Sequence, residues 1–196
     1  MKKVIVAALV LSAGIFSAKA QNTGTWNLDP AHSSLGFTVP HMVISEAEGK
    51  LKKYDITLTA GKEDFADSKL TFSGDVASLT TDNEMRDKHL AGDEFFNAEK
   101  FPKITFVSKS FKKTGEKTFK VTGALTIRDV TKDVTLDAKL GGVANDPWKN
   151  RKSGWKVTGV INRQDFGLKY NQVAESGAVV GNEVTITANV ELAKAK

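Results

Sequence analysis

Val184-Thr185-Ile186-Thr187-Ala188-Asn189-Val190-Glu191-Leu192 alternates apolar and polar residues without a break over nine positions. That period of two describes a strand with one face buried and the other in water. The same rhythm recurs along the chain. It appears in Trp26-Asn27-Leu28, Leu35-Gly36-Phe37-Thr38-Val39, Tyr54-Asp55-Ile56-Thr57-Leu58, Leu70-Thr71-Phe72 and Ile104-Thr105-Phe106. It returns in Phe119 to Ile127, Val134 to Ala138 and Trp155-Lys156-Val157-Thr158. Valine and threonine crowd these positions, as a pleated, half-buried surface favours. Between the runs stand Thr114-Gly115-Glu116, Gly141-Gly142 and Asn145-Asp146-Pro147, residues suited to turns. About eight to ten strands are predicted, with a bulge or bend at Gly123. Long helices do not alternate with the strands, so a parallel α/β sheet is ruled out.

Strands with one greasy and one wet face form either a sandwich or a closed barrel, and closure removes aggregation-prone edges. The expectation is all-β: a closed antiparallel eight-stranded barrel, elongated, forming a single domain over residues 21–196. Such an interior is just wide enough to be filled by side chains or to hold one small ligand. Pattern alone leaves both open.

Residues 81–103 break the rhythm. Thr81 or Asp82 is placed to cap a short helix with Met85, His89 and Leu90 on one face, and Asp93 to cap a second turn carrying Phe95 and Phe96. One or two short helices in the 82–98 segment would then cover a barrel end.

The first twenty residues read differently. Lys2 and Lys3 precede an apolar run from Val4 to Phe16, and Ala18-Lys19-Ala20 offers a cleavage point. This is the layout of a secretory signal peptide, too short to span a membrane. The protein is therefore expected in the periplasm or secreted, with Gln21 as its first residue. Removing the three lysines of the signal lowers the net charge from +5 to +2, and the remaining basic residues form no cluster of the kind nucleic acid requires. Cysteine is absent, which excludes thiol catalysis, thiolate metal sites and a lipoprotein anchor.

Several strings, taken in order, resemble the bacterial YceI-like family, the polyisoprenoid-binding, lipocalin-like periplasmic proteins. They are Trp26-Asn27-Leu28-Asp29-Pro30-Ala31-His32-Ser33, Phe37 to Met42, Arg86-Asp87-Lys88-His89-Leu90 and Asp93-Glu94-Phe95-Phe96. Phe101 to Phe106, Gly123 to Ile127, Asn162 to Gly167 and Val180 to Val184 complete the set. Pro40, Lys53-Tyr54 and Asp129 depart from the family's pattern at turns. The resemblance implies a barrel tunnel holding a long-chain lipid such as a polyprenyl compound, an isoprenoid quinone or a fatty amide. It also implies no catalytic residues, no metal and no cofactor, a homodimer in many members, and transient contact with the membrane or a respiratory membrane protein.

A polyprenyl tail in water exposes several hundred Å² at ~25 cal/mol per Å², and a dry tunnel removes that cost. The candidate tunnel residues are Phe37, Val39, Met42, Phe72, Leu90, Phe95, Phe96, Phe106, Leu125 and Ile127; each is equally suited to filling a core. His41, Arg86 and His89 are the candidates to meet a polar head group at the mouth. Arg163 and Asp165 are expected to pair. Two rivals remain. His32, His41 and His89 with Asp29 and Asp87 supply donors for a metal enzyme, although without a compact spacing such as His-x-x-x-His. Alternatively, a packed core would leave a protein-interaction module of the envelope.

Overall fold

The computed structural model describes residues 21–196; the expected signal peptide, residues 1–20, lies outside the described residues. β1 (Gly24–Leu28) and β2 (Ser34–His41) are separated by a 3-10 turn at Pro30–His32, and β3 (Ser45–Leu51) and β4 (Tyr54–Ala60) follow. After β5 (Lys69–Asp75) and β6 (Leu79–Thr80) comes the helix α1 (Glu84–Ala91). The long strands β7 (Lys103–Lys113), β8 (Thr118–Ile127), β9 (Val130–Asn145) and β10 (Arg151–Asn162) come next. A small hairpin of β11 (Val173–Ala174) and β12 (Gly177–Ala178) precedes the last strand, β13 (Glu183–Lys194).

Eight strands close a ring in the order β1, β4, β5, β7, β8, β9, β10, β13, and β13 returns to β1 through Trp26↔Lys194 and Leu28↔Leu192. Each of these pairings is antiparallel. β2 continues the stave begun by β1. It pairs with β13 at Ser34↔Asn189 through Thr38↔Thr185. From Leu28 to Ser34 the chain advances six residues while β13 recedes only three, from Leu192 to Asn189. The bend at Asp29–Ser33 absorbs the difference. Ser33 Oγ holds it to β13, donating to Asp29 O (2.7 Å) and accepting from Glu191 N (2.9 Å).

Alternation sets the interior. On β8, Phe119, Val121, Leu125 and Ile127 are buried. Ile56, Phe72, Phe106 and Leu125 stand opposite one another across four strands and form one layer. The irregularity expected at Gly123 falls on its partner. The register slips between Ser108 and Ser110 on β7, and a Cβ on Gly123 would meet the Phe106 ring at 2.5 Å. The missing side chain makes room for that ring.

The segment before β7 differs from expectation. α1 is capped by Asn83, whose side chain accepts from Arg86 N, whereas Asp82 adopts φ 57 and lies outside the helix. Thr81 and Thr80 serve instead as donors. Thr81 N and Oγ1 reach Asp87 Oδ1 (2.7 and 2.6 Å), and Thr80 Oγ1 reaches Asp87 Oδ2 (2.7 Å). Met85 shares no buried face with Leu90 but stands exposed. No second helix follows Asp93. Asn97 N and Ala98 N bond back to Gly92 O and Ala91 O, folding residues 92–100 into successive turns. An eight-residue helix without a buried side chain stabilises itself poorly, and the bonds from Thr80 and Thr81 to Asp87 hold it on the barrel.

Candidate functional site: an apolar cavity with two unlike ends

A cavity of about 250 Å³ occupies the barrel interior. All the expected tunnel residues line it except Met42. Met42 follows the last residue of β2, in a turn where it and Val43 adopt φ 52 and 66, and its even number sets it out of step with Phe37 and Val39. Parity along the strand, which reading the string Phe37 to Met42 as one motif overlooked, explains its position. The reading also missed a whole wall. Val184, Ile186, Ala188, Val190 and Leu192 of β13 line the cavity, as do Trp155 and Phe111. The alternation that identified β13 as a strand already contained that information.

One end of the cavity is floored by rings. Trp155 contacts Phe65 (centroids 5.2 Å), Phe119 (5.4 Å) and Phe111 (6.0 Å), and Trp26 meets Phe65 at 5.5 Å. Both indole N–H groups are satisfied, by Asn22 O and by Ser153 Oγ, so the rings present only apolar surface inward. Phe65 comes from the loop between β4 and β5 and enters with φ 61.

The opposite end is covered by α1, the turns after it and residues 163–182. His89 packs edge-on against Phe95 (5.0 Å) and Tyr170 (5.2 Å), and its Nε2 lies 3.0 Å from Glu94. Arg128 Nη1 donates to the carbonyls of Asp93, Phe95 and Gly167, tying the turns after α1 to the segment beyond β10. Leu90, Phe96 and Val180 face the cavity from this cover.

His41, Arg86 and His89 do not form one cluster. His41 and Arg86 border a separate polar cleft of about 420 Å³ between β3 and the start of α1, whereas His89 belongs to the aromatic contacts of the cover. Glu46, Glu48, Lys50 and Arg86 line the cleft together, a mixture that favours neither sign of ligand. Arg86 is engaged there by Thr81 Oγ1 and O. Burial raises the Asp87 carboxyl, but the bonds from Thr81 and Thr80 and the Arg86 charge outweigh it and hold the group below its ordinary value.

The expected Arg163–Asp165 pair is absent. Asp165 lies 3.5 Å from Lys132. Arg163 is buried, at 3 % exposure, and donates to the carbonyls of Gly181 (2.8 Å), Leu168 (2.8 Å) and Val180 (3.1 Å) and to Asn182 Oδ1 (3.2 Å). It also lines the cavity, the one polar side chain to do so. Trp155, Val157 and Ile161 of β10 face inward, and position 163 continues their parity. Proximity to Asp165 in sequence suggested a pair, whereas strand parity would have pointed Arg163 inward.

The histidines do not converge on a metal site. Among the described residues, the grouping able to hold a cation is Asp29, His32 and Glu191. The Lys152 ammonium already lies against Asp29 and sits 3.2 Å from Glu191. That hydrogen bond from Lys152 outweighs burial and, with those from His32 and Ala31 N, holds the Asp29 carboxyl at about 2. The Asp29-Pro30-Ala31-His32-Ser33 string is thus a clamp at the strand bend.

Comparison with known proteins agrees with this architecture. A UPF0312 protein of Staphylococcus aureus is 37% identical over 168 residues, 85% of this chain and 95% of that one. The crystal structure of a Campylobacter jejuni YCEI protein superposes with a TM-score of 0.70 at 34% identity, covering 86% of this chain and 97% of the other. A polyisoprenoid binding domain from Saccharophagus degradans shares the fold, with a TM-score of 0.65 at 13% identity over 87% of this chain and 98% of that domain. The family described as YceI-like domain matches residues 26–192, and with the closed eight-stranded lipocalin-like barrel in hand, the chain belongs to that family.

Proposed function

We propose that the protein holds one long-chain, isoprenoid-type lipid, with its tail in the barrel cavity and its polar end beneath the α1 cover. The observation that carries this reading is the cavity itself, lined by apolar side chains from Leu90 and Val180 at the cover to Trp155 at the floor. Protein interiors pack as densely as organic crystals. Leaving about 250 Å³ vacant forgoes about 6 kcal/mol at ~24 cal/mol per Å³, comparable with a domain's whole net stability. Water recovers little of that loss, because a water needs about two to four polar partners and this wall carries one polar side chain. A prenyl or acyl tail recovers it. The polyisoprenoid binding domain of S. degradans, which shares the fold, supports the choice of tail.

Carriage of such a lipid across an aqueous compartment suits an exported protein, and the composition of residues 1–20 favours export. N-terminal sequencing of envelope fractions would give Gln21 as the first residue; retention of Met1 in all the protein would contradict export.

Organic extraction of protein purified without detergent, followed by mass spectrometry, tests the lipid reading. About one long-chain molecule per polypeptide is expected. Ala188, buried on the cavity wall, offers a control. Ala188→Phe fills the space at a cost of about 1–3 kcal/mol and should abolish the extracted lipid while the barrel stays folded. Lipid-free wild type that also fails to take up an added apolar dye would favour a packed interaction module instead.

A further inference from the structure

Arg163 is a buried cation without a counter-ion. All its acceptors are uncharged oxygens, and among the described residues no carboxylate pairs with it. A guanidinium carries five N–H groups, and its four hydrogen bonds leave one N–H on Nη1 without an acceptor. Buried charges are ordinarily paired, and an unpaired one is costly. Burial accordingly pushes the guanidinium below its usual pKa, though an arginine remains charged at neutral pH.

The carbonyls that hold Arg163 belong to residues 168–182, in the cover, and the side chain borders the cavity. A lipid lying in that cavity therefore meets almost only apolar surface, and Arg163, held by the cover, is the one charged side chain on its wall. Resting on the lipid reading above, we infer that Arg163 receives the head group, and that the head presents a hydrogen-bond-accepting oxygen, bound most tightly when anionic, as in a carboxylate or phosphate. An unfunctionalised tail leaves the spare N–H without an acceptor, and an alcohol, whose hydroxyl accepts it, leaves the charge uncompensated. A carbonyl head, as in an amide or quinone, satisfies the N–H but leaves the charge.

The probe is the neutral dye N-phenyl-1-naphthylamine bound to delipidated protein, displaced by hexadecanoic acid, hexadecanamide and hexadecan-1-ol of equal chain length. Charged hydrogen bonds exceed neutral ones enough that the acid should displace the dye at roughly ten-fold lower concentration than the alcohol, with the amide between them. Equal displacement by all three would overturn the head-group assignment while leaving tail binding intact. No dye binding at all would overturn the lipid reading and this inference with it. Arg163→Met is expected to erase the preference. Because that substitution also frees the Leu168, Val180 and Gly181 carbonyls, a measurement on wild type stands beside it. The 13C resonance of carboxyl-labelled hexadecanoate is titrated in the complex. Burial alone raises a carboxyl pKa, whereas a guanidinium lowers it. A pKa below that of the same acid in water supports Arg163 as its partner, and a raised one contradicts it.

Discussion

The two ends of the barrel are closed by different chemistry. At one end Trp26, Phe65, Phe111, Phe119 and Trp155 interlock, each at most 6 % exposed. At the other, α1 has no fully buried residue; it is held by hydrogen bonds from Thr80 and Thr81 to Asp87 and by the packing of His89 and Leu90, while Arg128 ties down the turns after it. Ring packing is lost only by unfolding the strands that carry it. Hydrogen bonds in a half-exposed cover exchange with water at little net cost. On this difference the rings serve as a floor and α1 is expected to act as the door, with local opening at the more weakly packed end.

The largest effect is expected at the floor. Trp155→Ala should destabilise the protein by about 3–5 kcal/mol, lowering the thermal midpoint by about 10 °C, as read by calorimetry. A loss under about 1 kcal/mol would mean the rings are dispensable and the comparison fails.

Asp87→Ala should act on the door alone. It strands the Thr81 N–H and two hydroxyls, costing about 1–2 kcal/mol locally. Hydrogen exchange of residues 84–91 should accelerate roughly ten-fold, with the thermal midpoint nearly unchanged. Cooperative unfolding of the entire barrel at a much lower temperature would show that the cover is no separate unit.

A smaller effect belongs to the clamp beside the floor, where Lys152 holds Asp29 at about 2. An unfolded aspartate titrates near ~3.9, so the folded form binds its proton more weakly. The resulting stability is complete above about pH 4 and is lost as the pH falls through about 2. Urea titrations between these values should show a steeper decline for wild type than for Asp29→Asn. Identical slopes would place the acid sensitivity elsewhere.

Much of the barrel was legible because strand alternation is a local signal. Val184 to Leu192 declares its buried face residue by residue, and the parity that places Ile186 inward needs no knowledge of its partners. Closure itself was inferred from the need to hide edges, and the β1–β13 pairing supplies it. The cover was harder to read. Asn83 rather than Thr81 or Asp82 caps α1; Asn and Asp cap about equally well in isolation and Thr somewhat less, and the bonds of Thr80 and Thr81 to Asp87 leave position 83 at the helix start. Arg163 was misassigned because Asp165 is close in sequence, whereas the carbonyls that hold it lie 5 to 18 residues away. Arg86 and His89 are separated by the faces of α1 on which they emerge, which sequence spacing fixes only once the helix start is known, and His41 comes from the end of β2.

The central claim is that the space between floor and door is occupied by a lipid tail. Native mass spectrometry of the protein, purified without detergent from the cells that make it, tests it most directly. The account predicts a dominant species heavier than the polypeptide by one long-chain lipid, which Ala188→Phe removes. A population at the bare polypeptide mass, folded and unchanged by that substitution, would contradict it.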